Sequence, residues 1–121
     1  MRILIRLKDT KVEIPNIKKC SRFGKAWGLM FNRREAAQAL LFDFKKPTRI
    51  SIHSLFVFFP FLAIWVDEQG KVIDFKIIQP FKFRVKAPKP FVRLIEIPLN
   101  NKYLEVVKSM ENAVGNERFK Y

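Results

Sequence analysis

Apolar and polar residues alternate in short bursts along most of the chain, with a period of two that marks β-strands. Residues 2–7 place Ile3, Ile5 and Leu7 on one face, and Val12 and Ile14 flank Glu13 in a second short strand stopped by Pro15. Residues 16–28 are basic and irregular. Residues 33–40 (RREAAQAL) have the Ala, Gln, Glu and Arg content of a short helix, with Asn32 as its cap. A strand over 40–44 ends at Lys45-Lys46-Pro47, and residues 48–53 alternate with Ile50 and Ile52 against Arg49, Ser51 and His53. Two runs, 61–66 and 71–78, surround Asp67-Glu68-Gln69-Gly70 and predict a hairpin, with Gly70 supplying a positive φ. Residues 81–86 alternate strictly, Phe81, Phe83 and Val85 opposing Lys82, Arg84 and Lys86, and a further strand covers 91–97. Tyr103, Val106, Val107, Met110 and Val114 then recur at helical spacing ahead of Gly115, a suitable C-cap.

Many short strands with few helices predict a mainly β domain, a compact β-sandwich or barrel of short antiparallel strands. It carries one short helix near 33–40 and one C-terminal amphipathic helix near 102–113. A length of 121 residues fits a single domain, 1–121, with enough core to fold without staples.

The 17 residues 50–66 contain no charge and follow Lys45, Lys46 and Arg49, the pattern of a membrane span with positive flanks. As a helix they would rise only about 25 Å, short of the roughly 30 Å hydrocarbon core, and Pro60 interrupts them. Their Phe, Ile and Val content instead predicts two buried strands meeting near Phe59-Pro60. The amino terminus lacks a long apolar segment followed by a small-residue cleavage site, so the expectation is a soluble cytoplasmic protein with no membrane partner.

Charge changes the picture more than size does. The chain has 24 Lys and Arg against 11 Asp and Glu, a formal net charge of +13. The excess is +9 over residues 1–49 and +6 over 71–93, while 50–70 carry −2 and 94–121 balance. These cations are interleaved with strand-forming residues, so folded structure must display them, and a polyanionic partner is implied. One cysteine and one histidine exclude an intrachain disulfide and a Cys/His zinc module.

Three candidate chemistries can be weighed. Ser51 and His53 share a strand face as a nucleophile and base would, but no third group or oxyanion donor accompanies them. Asp67, Glu68 and Asp74 offer oxygen ligands, although acids at 67 and 68 are ordinary hairpin-turn residues. Cys20, among Lys18, Lys19 and Arg22, has cations that favour a thiolate, which a lone cysteine in a basic loop shares without being functional. The pattern therefore implies no enzyme, no metal and no cofactor.

The order of segments from about 18 to 98 resembles the domain of unknown function 192 family. Gly28-Leu29-Met30-Phe31 is similar to its Gly-Leu-Met motif, and Leu40-Leu41-Phe42-Asp43-Phe44 to the apolar strand that follows. Residues 60–67 with Gly70-Lys71-Val72-Ile73-Asp74 resemble its Pro-Leu-Asp-Ile strand, acidic turn and Gly-x-Val return. Gln79-Pro80, Ala87-Pro88 and Leu94-Ile95-Glu96-Ile97-Pro98 resemble its Pro-rich connection and final Leu-Glu-Val-Pro strand. The chain departs from the pattern where members carry Trp-Met-Lys-Asn-Thr, having His53-Ser54-Leu55-Phe56-Val57, and has Leu62 for the Asp of Pro-Leu-Asp-Ile. The resemblance implies a compact β-sandwich-like fold, no established activity, and a groove made apolar here by these replacements.

The leading expectation is a non-enzymatic basic domain that binds nucleic acid, structured RNA in preference to duplex DNA, as an accessory part of a ribonucleoprotein such as the ribosome. Its candidate binding residues are Lys82, Arg84 and Lys86 on the alternating strand, continued by Lys89 and Arg93, and a second cluster of Lys18, Lys19, Arg22, Lys25, Arg33 and Arg34 near Phe23 and Trp27. The alternative is a small-ligand or partner-protein module of the resembled family.

Overall fold

In the computed structural model the described residues are 1–20, 33–52, 57–82 and 84–114. Seven strands, β1 (Ile3–Leu7), β2 (Thr10–Ile14), β3 (Ile17–Cys20), β4 (Ala39–Thr48), β5 (Phe61–Val66), β6 (Val72–Ile78) and β7 (Phe91–Pro98), precede a 3-10 turn at Asn101–Tyr103 and the helix α1 (Leu104–Val114). The fold is mainly β. Strands β1 and β2 form an antiparallel hairpin, and the rest form one sheet in the order β3-β4-β7-β5-β6.

Two apolar layers hold the five-stranded sheet. On one face Leu41, Leu62, Ile64, Val66, Ile95 and Ile97 pack against Ile5, Val12 and Ile14 of the hairpin, Tyr103 of the 3-10 turn, and Val106 and Met110 of α1. On the other, Leu40, Phe42, Phe61, Trp65, Phe91 and Leu94 lie beneath Ile52, Val57, Phe59 and Ala87. Because both faces are covered, all six residues of β5 are buried, which is why this segment reads as an unbroken apolar run. Among the described residues, no helix is long and apolar enough to cross a membrane.

The hairpin of β5 and β6 forms as its pattern predicts. Asp67 Oδ1 accepts from the amides of Gln69 and Lys71 at 2.9 Å each, and Gly70 takes φ +80° to close the turn. The strands β1 and β2 and the C-terminal helix also match expectation, whereas Asn32 and Gly115, read as caps, lie outside the described residues.

Several expectations are corrected. The helix near 33–40 is a single turn, with Ala36 N and Ala37 N both donating to Arg33 O at 3.2 and 3.0 Å. Asn100 Nδ2 captures the carbonyls of Arg34 (2.7 Å) and Ala37 (3.0 Å), and the chain leaves at Ala39 as β4 because alternate residues there are buried on opposite faces. Packing on two sides overrides the helix propensity of two short turns. Ile17–Cys20, read as irregular, is a strand, and it runs parallel to β4 rather than antiparallel. The connection across residues 21–38 is long enough for the crossover that a parallel pair requires. Of the two strands expected over 50–66 only β5 forms among the described residues. Ile52 makes an isolated bridge to Val85, and Ile50 is exposed while Ile52 is buried.

Candidate nucleic-acid interface

Pairing of β4 with β7 shifts register beyond Asp43 and resumes at Thr48 opposite Phe91. Farther out, Ile52 and Val85 exchange both backbone hydrogen bonds at 2.8 Å. Residues 45–52 (KKPTRISI) and 84–91 (RVKAPKPF) therefore run antiparallel as an irregular ribbon that continues the β4–β7 pair past its register shift. Pro47, Pro88 and Pro90 cannot donate to a ladder, so the two segments do not zip into a regular one. Lys45, Lys46, Arg49, Arg84, Lys86 and Lys89 are all exposed, and neither segment contains an acid.

This geometry corrects the strand expected over residues 81–86. Strand β6 ends at Ile78, Pro80 enters a turn, and Phe81 and Arg84 take the left-handed values φ 62° and 47°. Those two residues break the period of two, so Lys82, Arg84 and Lys86 are exposed on a contorted loop and not aligned on one strand face.

The remaining candidates divide. Lys18 and Lys19 are exposed on β3, an outer strand of the sheet, and their register partners Leu40 and Leu41 belong to opposite apolar layers. They lie beside the first half of β4, about 15 Å from its Lys45. Arg33 is exposed, and Arg34 Nε donates to Leu99 O at 2.6 Å, tying the Arg33 turn to the chain ahead of α1. Arg93 Nε lies 3.7 Å from Asp43 Oδ2, so its charge is already opposed. Arg22 and Lys25, with Phe23 and Trp27, lie outside the described residues.

Sequence reasoning missed Lys45, Lys46 and Arg49 as part of this surface, having read them only as a strand end and a flank of the apolar run. Local periodicity holds no sign that Ile52 will pair with Val85. It also missed Glu96, which shares the face of Leu94 and is opposed by Leu40 and Ala63. Glu96 keeps a small window to solvent, yet burial pushes its carboxyl from an ordinary 4.5 to about 7. On the same face the Trp65 Nε1 proton is buried without a hydrogen-bond partner, and Lys76 Nζ stands 6.0 Å from the centre of the Trp65 ring.

The other candidate chemistries gain little. No group of three or more His, Cys, Asp and Glu among the described residues could hold a metal ion. Cys20 is partly exposed, with Sγ 3.9 Å from Lys18 O, and His53 lies outside the described residues.

Across residues 7–108, which include every strand of the main sheet, the sequence matches the DUF192 family, described as "Uncharacterized ACR". The chain belongs to the DUF192 family. No curated protein matches this DUF192 chain. It is similar to a crystal structure of a protein of unknown function from Novosphingobium aromaticivorans, with a TM-score of 0.67 and 14% identity over 88% of this chain and 76% of that one. A proposed transcription regulator from Sinorhizobium meliloti has a TM-score of 0.66 and 14% identity over 80% of this chain and 78% of its own. At such identity the likeness establishes the shared fold. Leu62, where the family pattern has Asp, is fully buried in the layer facing the hairpin and α1, so in this DUF192 member the position serves packing.

Proposed function

We propose that this DUF192 chain binds nucleic acid, RNA in preference to duplex DNA, without catalysing a reaction, and that the 45–52/84–91 ribbon carries the contact. The observation behind the reading is six exposed cations on two paired segments that contain no acid. A groove or ribbon of one sign concentrates field toward a phosphate backbone and steers its approach. The choice of RNA rests on the element type: α1 holds one cation, Lys108, where a reader of the DNA major groove needs several on one helix. Lys82 extends the ribbon, and Lys18 and Lys19 offer a separate edge contact. A cytoplasmic accessory role in a ribonucleoprotein such as the ribosome is the setting this reading suits.

The test is fluorescence anisotropy with a labelled structured RNA over a salt series. Replacing Lys45, Lys46 and Arg49 by Ser should weaken binding at least tenfold and flatten the salt dependence, while Lys102→Ser with Lys108→Ser should change affinity less than twofold. Equal losses would mean a diffuse field and no site.

A small-ligand module is the second reading. It is favoured by Glu96 and Trp65, two largely buried polar groups on one face without hydrogen bonds among the described residues.

A further inference from the structure

Beside the ribbon the molecule exposes two aromatic rings, where burial would ordinarily be favoured. Phe58 and Phe81 are 57% and 54% exposed, and their rings meet edge to face with centroids 5.5 Å apart at 72°. Phe81 holds its place with φ 62°, a left-handed conformation that a bulky side chain rarely adopts. Such strain, found at an exposed ring next to a charged loop, points to function more than to stability, since the exposed ring returns little to the core. Phe81 immediately precedes Lys82 and stands three residues before Arg84, so the pair borders the cationic ribbon. Ile50, 42% exposed on the opposing segment, adds an apolar edge two residues from the Ile52–Val85 bridge.

We infer that Phe58 and Phe81 are a stacking platform for unpaired bases of an RNA strand whose phosphates lie along the cations of the ribbon. This deepens the reading of the chain as an RNA-binding domain and rests on it. More than half of each of the two side chains is exposed, so the pair presents aromatic surface to solvent, which suits a flat base. Cations flanking aromatic rings are the arrangement by which single strands are held, the backbone by charge and the bases by stacking. The charge also chooses between occupants: a neutral apolar partner would gain nothing from six lysines and arginines at the rim. Phosphates alone would need no strained phenylalanine. The substrate class is accordingly single-stranded RNA or the loops of a folded RNA, with little dependence on sequence because every base has a face to stack.

The experiment compares three probes of equal length in one salt series: an oligouridylate, the same ribose-phosphate chain without bases, and duplex RNA. The wild type should bind the oligouridylate at least tenfold more tightly than either of the others. Phe81→Ala and Phe58→Ala should each remove most of that preference and leave the salt slope unchanged. Phe81→Leu, which keeps apolar volume without a ring, should behave like Phe81→Ala; a wild-type preference in Phe81→Leu would overturn stacking. Salt-dependent binding of all three probes with no preference for bases would overturn the platform and leave the ribbon standing. No salt-dependent binding to any probe would overturn both. Phe81-dependent binding to phosphatidylserine vesicles, in place of oligouridylate, would assign the rings to a lipid surface and reject the inference.

Discussion

Val85 and Ile52 exchange two backbone hydrogen bonds of 2.8 Å, and this exchange, with the pairing of Thr48 and Phe91, joins two cationic segments that lie more than thirty residues apart in the sequence. Without it, the outer ends of the two segments would carry the same charge and be held together only at Thr48 and Phe91.

The first prediction follows from that exchange. Val85→Pro removes the donor to Ile52 O while leaving every cation in place. The variant should bind RNA about five- to tenfold more weakly at low salt and lose about 1–2 kcal/mol of stability. Unchanged affinity would mean that the cations act independently of the ribbon.

A second prediction concerns the other end of the molecule. Tyr103 Oη accepts from Ala39 N and donates to Asn16 O, both at 2.7 Å, pinning the start of α1 to the points where β3 and β4 begin. Burial pushes the hydroxyl above its usual pKa, partly offset by the bond from Ala39, so it stays a neutral donor. Tyr103→Phe leaves a buried amide without a partner and should cost about 1–3 kcal/mol in urea unfolding, with RNA affinity unchanged.

Glu96 gives a dependence on pH with a defined sign. Its folded pKa, about 7, lies above the ordinary 4.5, so its contribution to stability is complete below about 4.5 and is lost as pH rises through about 7. The loss amounts to as much as about 3 kcal/mol between pH 4.5 and 8. Glu96→Gln should remove this slope, making the variant more stable than wild type at pH 8 in chemical denaturation. A wild-type slope of opposite sign in this range would contradict the assignment.

Leu62→Asp tests the position at which this chain departs from its family. Leu62 is fully buried between Ile64 and Ile97 in the layer facing the hairpin and α1. A carboxylate there has no partner, and the substitution should cost several kcal/mol or abolish folding. A variant as stable as wild type at pH 8 would contradict the burial of this position.

The elements that were legible in the sequence are those whose burial repeats locally. Ile3, Ile5 and Leu7 alternate because one face of β1 is covered, and Val106 and Met110 recur because one stripe of α1 is. Gly70 marked its turn through a backbone requirement that only its own neighbours impose. What the sequence did not disclose depends on partners far along the chain. RREAAQAL carries helix-forming residues, yet Asn100 ends its turn and two apolar layers claim Ala39 to Phe42 as strand. Residues 81–86 have a strand's alternation, but Phe81 and Arg84 are left-handed. Of the candidate site, Arg84, Lys86 and Lys89 were legible as exposed cations, and their companions Lys45, Lys46 and Arg49 were not, because only tertiary pairing brings the two groups together.

The central claim, that folded cations hold an RNA backbone, is tested most directly by the slope of log affinity against log salt for a single-stranded RNA. With about six phosphates neutralised the slope should be near −4, and it should fall to about −2 when Lys45, Lys46 and Arg49 are replaced by Ser. A slope near zero, or one that the triple substitution leaves unchanged, would contradict the account.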